Sequence, residues 1–234
     1  MSEWWTYRLS DLLLFSSRTY YRLFELYNAA IWPAQMLAIG LGLMVWFLLA
    51  RGAPTRGRLI TAILSGCWLF VAIAFHAQRY ATINWAARYF AWGFAFEAAL
   101  LLWLGTIRGK LSFEKSADGS RRAGVAIFGF ALLLEPLIGL VLRRNWRQVE
   151  IFGIAPDPTA VATLGVLLIA VGKGRWLLFA VPAIWCAITG ATLLTMKAPD
   201  CWIPPLVALL AIILASRQAR ARRRIAATRP LAVS

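Results

Sequence analysis

Two acidic residues lie deep inside long apolar runs of this chain, where a charged side chain is costly. Glu97 comes twelve residues into the run 85–107, and Glu135 comes twelve residues into the run 123–142, just before Pro136. If both runs are membrane helices, they cross in opposite directions, and each carboxyl group lies about 18 Å from the end where its run begins. The sequence predicts a proton or cation relay through Glu97 and Glu135. The alternative is two neutral glutamates that hydrogen-bond neighbouring helices as packing contacts.

A second group of polar and aromatic residues falls at the ends of the apolar runs, on the side that we expect to face outward. Several separate segments that converge on one membrane face can form a pocket. For the tryptophans, the alternative is the ordinary belt of aromatic residues at the membrane interface. The candidates for this outer pocket are Tyr27, Asn28, Trp32, Gln35, His76, Arg79, Asn84, Arg88 and Asp157.

Three charged residues near this side also have simpler structural explanations. Asp157 is followed by Pro158, and an Asp-Pro pair at a helix start is typical of an N-cap with proline in the first turn. Asp200 is interpreted in the same way. Arg88 is near a helix end, where its guanidinium can reach lipid headgroups.

The sequence shows little sign of catalysis or of a cofactor. No G-x-S-x-G, H-E-x-x-H, Walker A or dinucleotide motif is present, so we do not expect an enzyme. His76 is the single histidine, which excludes a bis-histidine haem within the chain and disfavours zinc. Ligation of a pigment, or of a group shared with another subunit, stays open. Cys67, Cys186 and Cys201 are widely spaced, with no CxxC motif. Cys67 and Cys186 fall inside apolar runs and are interpreted as small buried hydrophobic residues, and we assign no metal and no cofactor.

Composition places the chain among membrane proteins. Of its 234 residues, 61% are hydrophobic and only 15% are charged, which a soluble domain of this size could not bury but lipid can receive. The net charge is +15, with most basic residues between apolar runs and in the tail. This distribution is typical of topology signals and of contacts with anionic lipid headgroups. The expected partners are therefore the bilayer and possible membrane subunits, and not nucleic acid.

The apolar runs predict an all-α polytopic transmembrane bundle with an N-terminal amphipathic helix. The fifth run is short, so the prediction is seven spans, or six if this run re-enters the membrane. Seven is preferred because a lipid-facing half-span would leave backbone groups unpaired. The runs are 30–50, 59–75, 85–107, 123–142, 159–171, 176–196 and 202–215.

This prediction divides the chain into three regions. Residues 1–28 form an amphipathic N-terminal segment, with a helix that Ser10 would cap, lying in the headgroup plane or packed on the bundle. Residues 29–216 form the bundle, and residues 217–234 form a basic tail. Both span counts place this tail in the cytoplasm.

Three segments of the chain carry a distinctive pattern, together with Trp185 and Asp200. They are 27–35 (YNAAIWPAQ), 83–86 (INWA) and 153–165 (GIAPDPTAVATLG). In this order they resemble a family of uncharacterised bacterial multi-pass membrane proteins, the domain of unknown function numbered 6064. The third motif in the family often reads Pro-Cys-Pro-Thr, whereas Asp157 replaces that cysteine here. The resemblance therefore implies a bacterial inner-membrane protein without thiol chemistry, and it implies no activity.

Taken together, these features predict an integral membrane protein that transports a small solute or an ion, or acts like a channel. It would have a pocket on the extracytoplasmic side and carboxylates inside the membrane. The alternative is an accessory or scaffold subunit of a larger membrane complex, with its aromatic faces packed on partner helices or pigments.

Overall fold

The computed structural model describes residues 15–51, 56–113, 119–172 and 174–228, and it confirms the all-α bundle. The proposed Ser10 cap lies outside these residues. Within the described residues, six helices are long and apolar enough to cross a membrane, as expected for an integral membrane protein. The helices are α1 (Ser17–Ala30), α2 (Ala34–Arg51), α3 (Gly57–Phe70), α4 (Ala87–Leu100), α5 (Gly119–Gly129), α6 (Glu135–Val141), α7 (Pro156–Ile169), α8 (Arg175–Thr195) and α9 (Ile203–Thr228).

Three of the crossings contain π-helical segments in addition to α-helix. Val71–Ala77 continues α3, Leu101–Ile107 continues α4, and Phe130–Leu134 joins α5 to α6. Such segments are rare in proteins, and many of those that occur lie at functional sites. Here His76 lies within the first, and Glu135 directly follows the third.

Contacts between helix ends define two faces of the bundle. On one, Arg121 donates to the carbonyls that end α2, Ser112 pairs with Val171, and Arg175 donates to Gln218. We call this the arginine face. On the other, Asn28 donates to carbonyls of the 147–149 segment, and Arg144 meets Asp200. We call this the pocket face, and in the described residues the chain passes between the two faces seven times.

The fifth crossing differs from the rest because α7 is short and wholly enclosed. Every residue of this 14-residue helix is buried, and at 1.5 Å per residue it spans about 21 Å of an apolar layer about 30 Å thick. It packs on α3, α5, α8 and α9. Its approach to α5 is very close, since a Cβ at Gly165 would lie 2.7 Å from the Gly124 carbonyl oxygen.

Non-helical backbone completes this crossing between the pocket face and α7. Phe152, Ile154 and Ala155 are buried, and the Tyr27 hydroxyl donates to the Ile154 carbonyl at 2.8 Å. A Cβ at Gly153 would lie 3.0 Å from the sulfur of Cys67, which is ten residues, or about 15 Å, along α3 from the arginine face. Irregular backbone is tolerated at this depth because protein surrounds it. The fifth run is thus neither a full-length span nor exposed to lipid.

The N-terminal helix packs on the bundle, the second of the two predicted arrangements. α1 begins after Ser16, whose hydroxyl accepts from the Thr19 N–H. The Phe24 ring lies 5.0 Å from that of Phe75, and Tyr20 lies 6.1 Å from Tyr80. α1 is therefore held by aromatic contacts at the pocket face.

Candidate functional site

Four carboxyl groups and one guanidinium line a small cavity at the pocket face. They belong to Glu135, Glu150, Asp157, Asp200 and Arg144, and we call the cavity the acidic pocket. Its volume of about 40 Å³ is enough for a few water molecules, each of which needs about 10–15 Å³. The four acids come from four separate segments, so the pocket is a product of tertiary packing.

Asp157 forms the floor of the acidic pocket. It is the second residue of α7 and is 5% exposed. Its Oδ1 accepts from the Trp185 indole N–H at 2.7 Å and from the Thr189 hydroxyl at 2.8 Å. Trp185 is ten residues into α8 from the arginine face, about 15 Å, so Asp157 lies near the middle of the bundle. The interpretation of Asp157 as an N-cap is wrong: Ala155 is the N-cap residue of α7, with no side-chain cap bond.

A salt bridge closes one wall of the pocket. Arg144 Nη2 lies 2.6 Å from Asp200 Oδ1, and the two side chains are only 15% and 12% exposed. The guanidinium also sits 4.3 Å from the ring centroid of Tyr21. The Asp200 carboxylate, interpreted from sequence as a cap, therefore pairs with the cation of the pocket.

Glu135 and Glu150 complete the pocket with oxygen atoms that have no partner. Oε2 of each is enclosed and makes no hydrogen bond in the described part of the chain. Glu150 precedes the buried non-helical segment, and burial raises the pKa of its carboxyl well above the usual range. The nearby Asp157 and Glu135 carboxyl groups raise that pKa further, and Arg144 opposes them. The pocket therefore favours a protonated Glu150.

The acidic pocket contains more carboxyl groups than cationic side chains. Four ionised carboxylates against one guanidinium would leave an excess of three negative charges in a mostly enclosed space, which is costly. Yet within the described ranges, no three His, Cys, Asp or Glu side chains are arranged to hold a metal ion. Shared protons, or a hydrated cation, are the chemistry that this arrangement accommodates.

Glu97 lies elsewhere, in the core between α4 and its neighbours. Its side chain is 0% exposed, and neither of its oxygen atoms has a hydrogen-bond partner in the described residues. It is ten residues, about 15 Å, below the pocket-face end of α4, whereas Glu135 is six residues, about 9 Å, from the end of α6. α4 packs on α3 and α8, while α5 packs on α2, α7 and α9. The structure therefore does not bring Glu97 into the acidic pocket, and the two-glutamate relay stays a prediction.

His76 is equally enclosed and surrounded by aromatic rings. Both of its nitrogen atoms lack a partner within the described part of the chain. Its ring lies 4.4 Å from that of Phe94 and 4.9 Å from that of Trp185. Trp185 thus touches His76 with its ring and Asp157 with its N–H. Phe94 lies one helical turn before Glu97, so His76 is positioned between the acidic pocket and the region of Glu97.

The other predicted pocket residues have structural roles or lie on the surface. Asn28 donates to the Arg147 and Val149 carbonyls, and Gln35 donates to the Asn28 carbonyl, so both fix the chain beside the pocket. The Asn84 side chain accepts from the Ala86 N–H. Tyr27, already described, holds the non-helical segment. The exposed residues of this predicted set are Trp32, Arg79 and Arg88.

Two pocket residues were missed by the sequence reasoning. Arg144 was counted only as a topology signal, and Glu150 was not considered. One signal was available for Glu150, which directly precedes the apolar stretch 151–155 and is the only charged residue between Arg147 and Asp157. No local pattern links either residue to Asp200, because they lie about 50 residues apart in the chain and only the fold brings them to one cavity.

The comparisons with known proteins now bear on this geometry. A family described as "Family of unknown function (DUF6064)" matches residues 17–226. The chain belongs to this family. The match covers every helix that forms the acidic pocket and confirms the resemblance seen in the sequence. No curated protein and no solved structure matches the chain.

Proposed function

We propose that this protein is an ion transporter or channel-like protein that takes protons into the acidic pocket. The observation that carries this proposal is the set of four carboxyl groups around one guanidinium in a single, partly enclosed cavity. Such groups exchange protons readily, because each neighbouring charge shifts the proton affinity of the others. Intramembrane acids in general mark ion and proton pathways.

The surrounding elements support a path inward from the pocket. A proton bound at Glu150 or Glu135 can pass through water in the cavity to Asp157, near the middle of the bundle. His76 and Glu97 lie beyond it, with polar side-chain atoms that have no partner among the described residues. They are the next groups in the path that we propose. Arginines concentrated at the opposite face favour a cytoplasmic location for that face, so the pocket would open outward.

Proton uptake in proteoliposomes tests this function directly. The purified protein is reconstituted with a pH-sensitive dye inside, the membrane potential is clamped with potassium and valinomycin, and the outside is acidified. We expect Asp157→Asn and Glu150→Gln to lower the uptake rate at least about tenfold, as for loss of a positioned acid–base group. Glu25→Gln is the matched control, since Glu25 pairs with Arg22 on α1 outside the pocket.

Two outcomes would contradict the proposal. One is wild-type protein that conducts no faster than empty vesicles. The other is equal rates for wild type, Asp157→Asn and Glu150→Gln at matched protein content. Glu97→Gln and His76→Gln, measured in the same vesicles, then show whether these inner groups take part.

An aromatic stripe on α4 supports a second candidate function, that of a subunit in a larger membrane complex. Tyr89, Trp92 and Phe96 are between 54% and 77% exposed, and helical spacing puts them within one narrow arc over about 10 Å. Trp103, which is 48% exposed, lies further along the same crossing in the π-helical segment. Interfacial belts explain aromatic residues near membrane surfaces but not along a whole span. A partner helix packed on this stripe explains them.

Purification from the native membrane in mild detergent tests the subunit role. We expect a stoichiometric partner that is lost in Trp92→Leu and retained in Trp176→Leu, which changes an exposed tryptophan on α8. A lone particle in wild type would reject this second candidate.

A further inference from the structure

An apolar groove with two arginines at one end runs along the outside of the bundle. It lies between α2 and the helix formed by α5 and the following π-helical segment, with a volume of about 620 Å³. We call it the arginine groove, and its lining includes Arg121, Arg122, Ala126, Phe130 and Leu134. The charged end is at the arginine face, and the rest is apolar.

The length of the groove matches one leaflet of a bilayer. From Arg122 to Leu134 the helix rises about 18 Å, and half of a 30 Å hydrocarbon core is about 15 Å. A molecule that fills the groove from its charged end therefore has an anionic head at the membrane surface and an apolar chain reaching toward the bilayer centre.

The two arginines are arranged differently. Arg121 donates to the Leu49 and Ala50 carbonyls at 2.6 and 3.0 Å, which holds it at the end of α2. Arg122 is exposed beside it. A fixed cation and an adjacent exposed one form the kind of basic pocket between transmembrane helices that binds lipid headgroups.

We infer that the arginine groove is a binding site for one anionic phospholipid. Its phosphate lies at Arg121 and Arg122, and one acyl chain fills the apolar part of the groove. This site is separate from the acidic pocket, and it does not depend on the proposed transport function.

A second groove on the same protein provides an internal control. It has nearly the same volume, about 610 Å³, and lies near the pocket face beside Ile31, Ile73 and Gln78. Its lining contains no charged residue. An acyl chain can occupy this second groove, but the groove has no charged side chain that would favour a lipid with an anionic headgroup.

Lipid retention measured by native mass spectrometry tests this inference. The full-length protein is equilibrated in nanodiscs of equal parts phosphatidylcholine and phosphatidylglycerol with the same acyl chains, and then released for analysis. We expect wild type to retain one phosphatidylglycerol in preference to phosphatidylcholine. Arg122→Gln should lower that preference about fivefold, the effect of one basic residue near an anionic surface.

Two further variants separate the groove from general surface charge. Ala126→Trp fills the arginine groove and should abolish the selective lipid, while Ile73→Trp fills the uncharged groove and should leave it. Arg88→Gln removes an exposed arginine at the other face and should also leave it. Equal retention of the two lipids in wild type, or an unchanged preference in both Arg122→Gln and Ala126→Trp, would overturn the assignment.

Discussion

The acidic pocket and the region around Glu97 and His76 bury ionisable groups in opposite ways. In the pocket, four carboxyl groups lie close enough to influence one another and share Arg144. Glu97 and His76 are fully buried, and their polar side-chain atoms have no partner in the described residues. Within a cluster, a proton that leaves one carboxyl group can be taken up by another. An isolated buried group has no such neighbour, so it must stay uncharged or exchange its proton with a more distant group. In the proposed function, the acidic pocket serves as the storage site for protons, and Glu97 and His76 serve as the transit site.

The largest effect that tests this comparison is expected at Arg144. Arg144→Ala leaves Asp200 and its neighbours without their cation, which should lower the free energy of unfolding by about 3–5 kcal/mol at pH 8. The loss should be smaller at pH 5, because burial raises the pKa of Glu150, and a more fully protonated Glu150 depends less on the guanidinium. Thermal unfolding in detergent measures both values, with the exposed Arg147→Ala as the control. Equal losses at the two pH values would show that the pocket acids do not depend on Arg144.

An effect of opposite sign is expected at Glu97. Glu97→Leu removes a buried carboxyl group without a partner and should raise the free energy of unfolding by about 1–3 kcal/mol. Unfolding in detergent measures this gain in stability, and proton uptake in vesicles measures any accompanying loss of transport. A more stable variant that has lost uptake would sharpen the comparison by identifying Glu97 as a transit site. Lower stability would mean that Glu97 has a partner and is not isolated.

The smallest effect is expected in the pH dependence that Glu150 contributes. Burial raises the pKa of Glu150 in the folded protein above its usual value of 4.5. Its contribution to stability is therefore complete below that value and is lost as pH rises toward the folded-state pKa. Glu150→Gln should flatten this part of the stability curve, measured by unfolding between pH 4 and pH 8. If Glu25→Gln flattens the stability curve as much as Glu150→Gln does, the effect arises from general surface charge and not from the pocket.

Several elements could be predicted from the sequence because they depend on local composition. Six of the seven apolar runs correspond to helices long enough to cross a membrane, and the short fifth run is short in the structure as well. The buried face of α1 follows from the spacing of Tyr20, Leu23, Phe24 and Tyr27. In contrast, the cap interpretation of Asp157 was wrong, because Trp185 and Thr189 of another helix take its carboxylate.

The sequence by itself determined that this protein is a bundle of apolar helices, since a run of about 20 apolar residues is sufficient to favour a membrane helix whatever surrounds it. It also determined that a few acids would be buried in that bundle. Only the tertiary structure decided which acids meet. Glu135, Glu150, Asp157 and Asp200 converge because α7 starts halfway through the bundle, and that position depends on close packing with α5 and α8. Electrostatic coupling depends on distance in space, and separation along the chain does not reveal it.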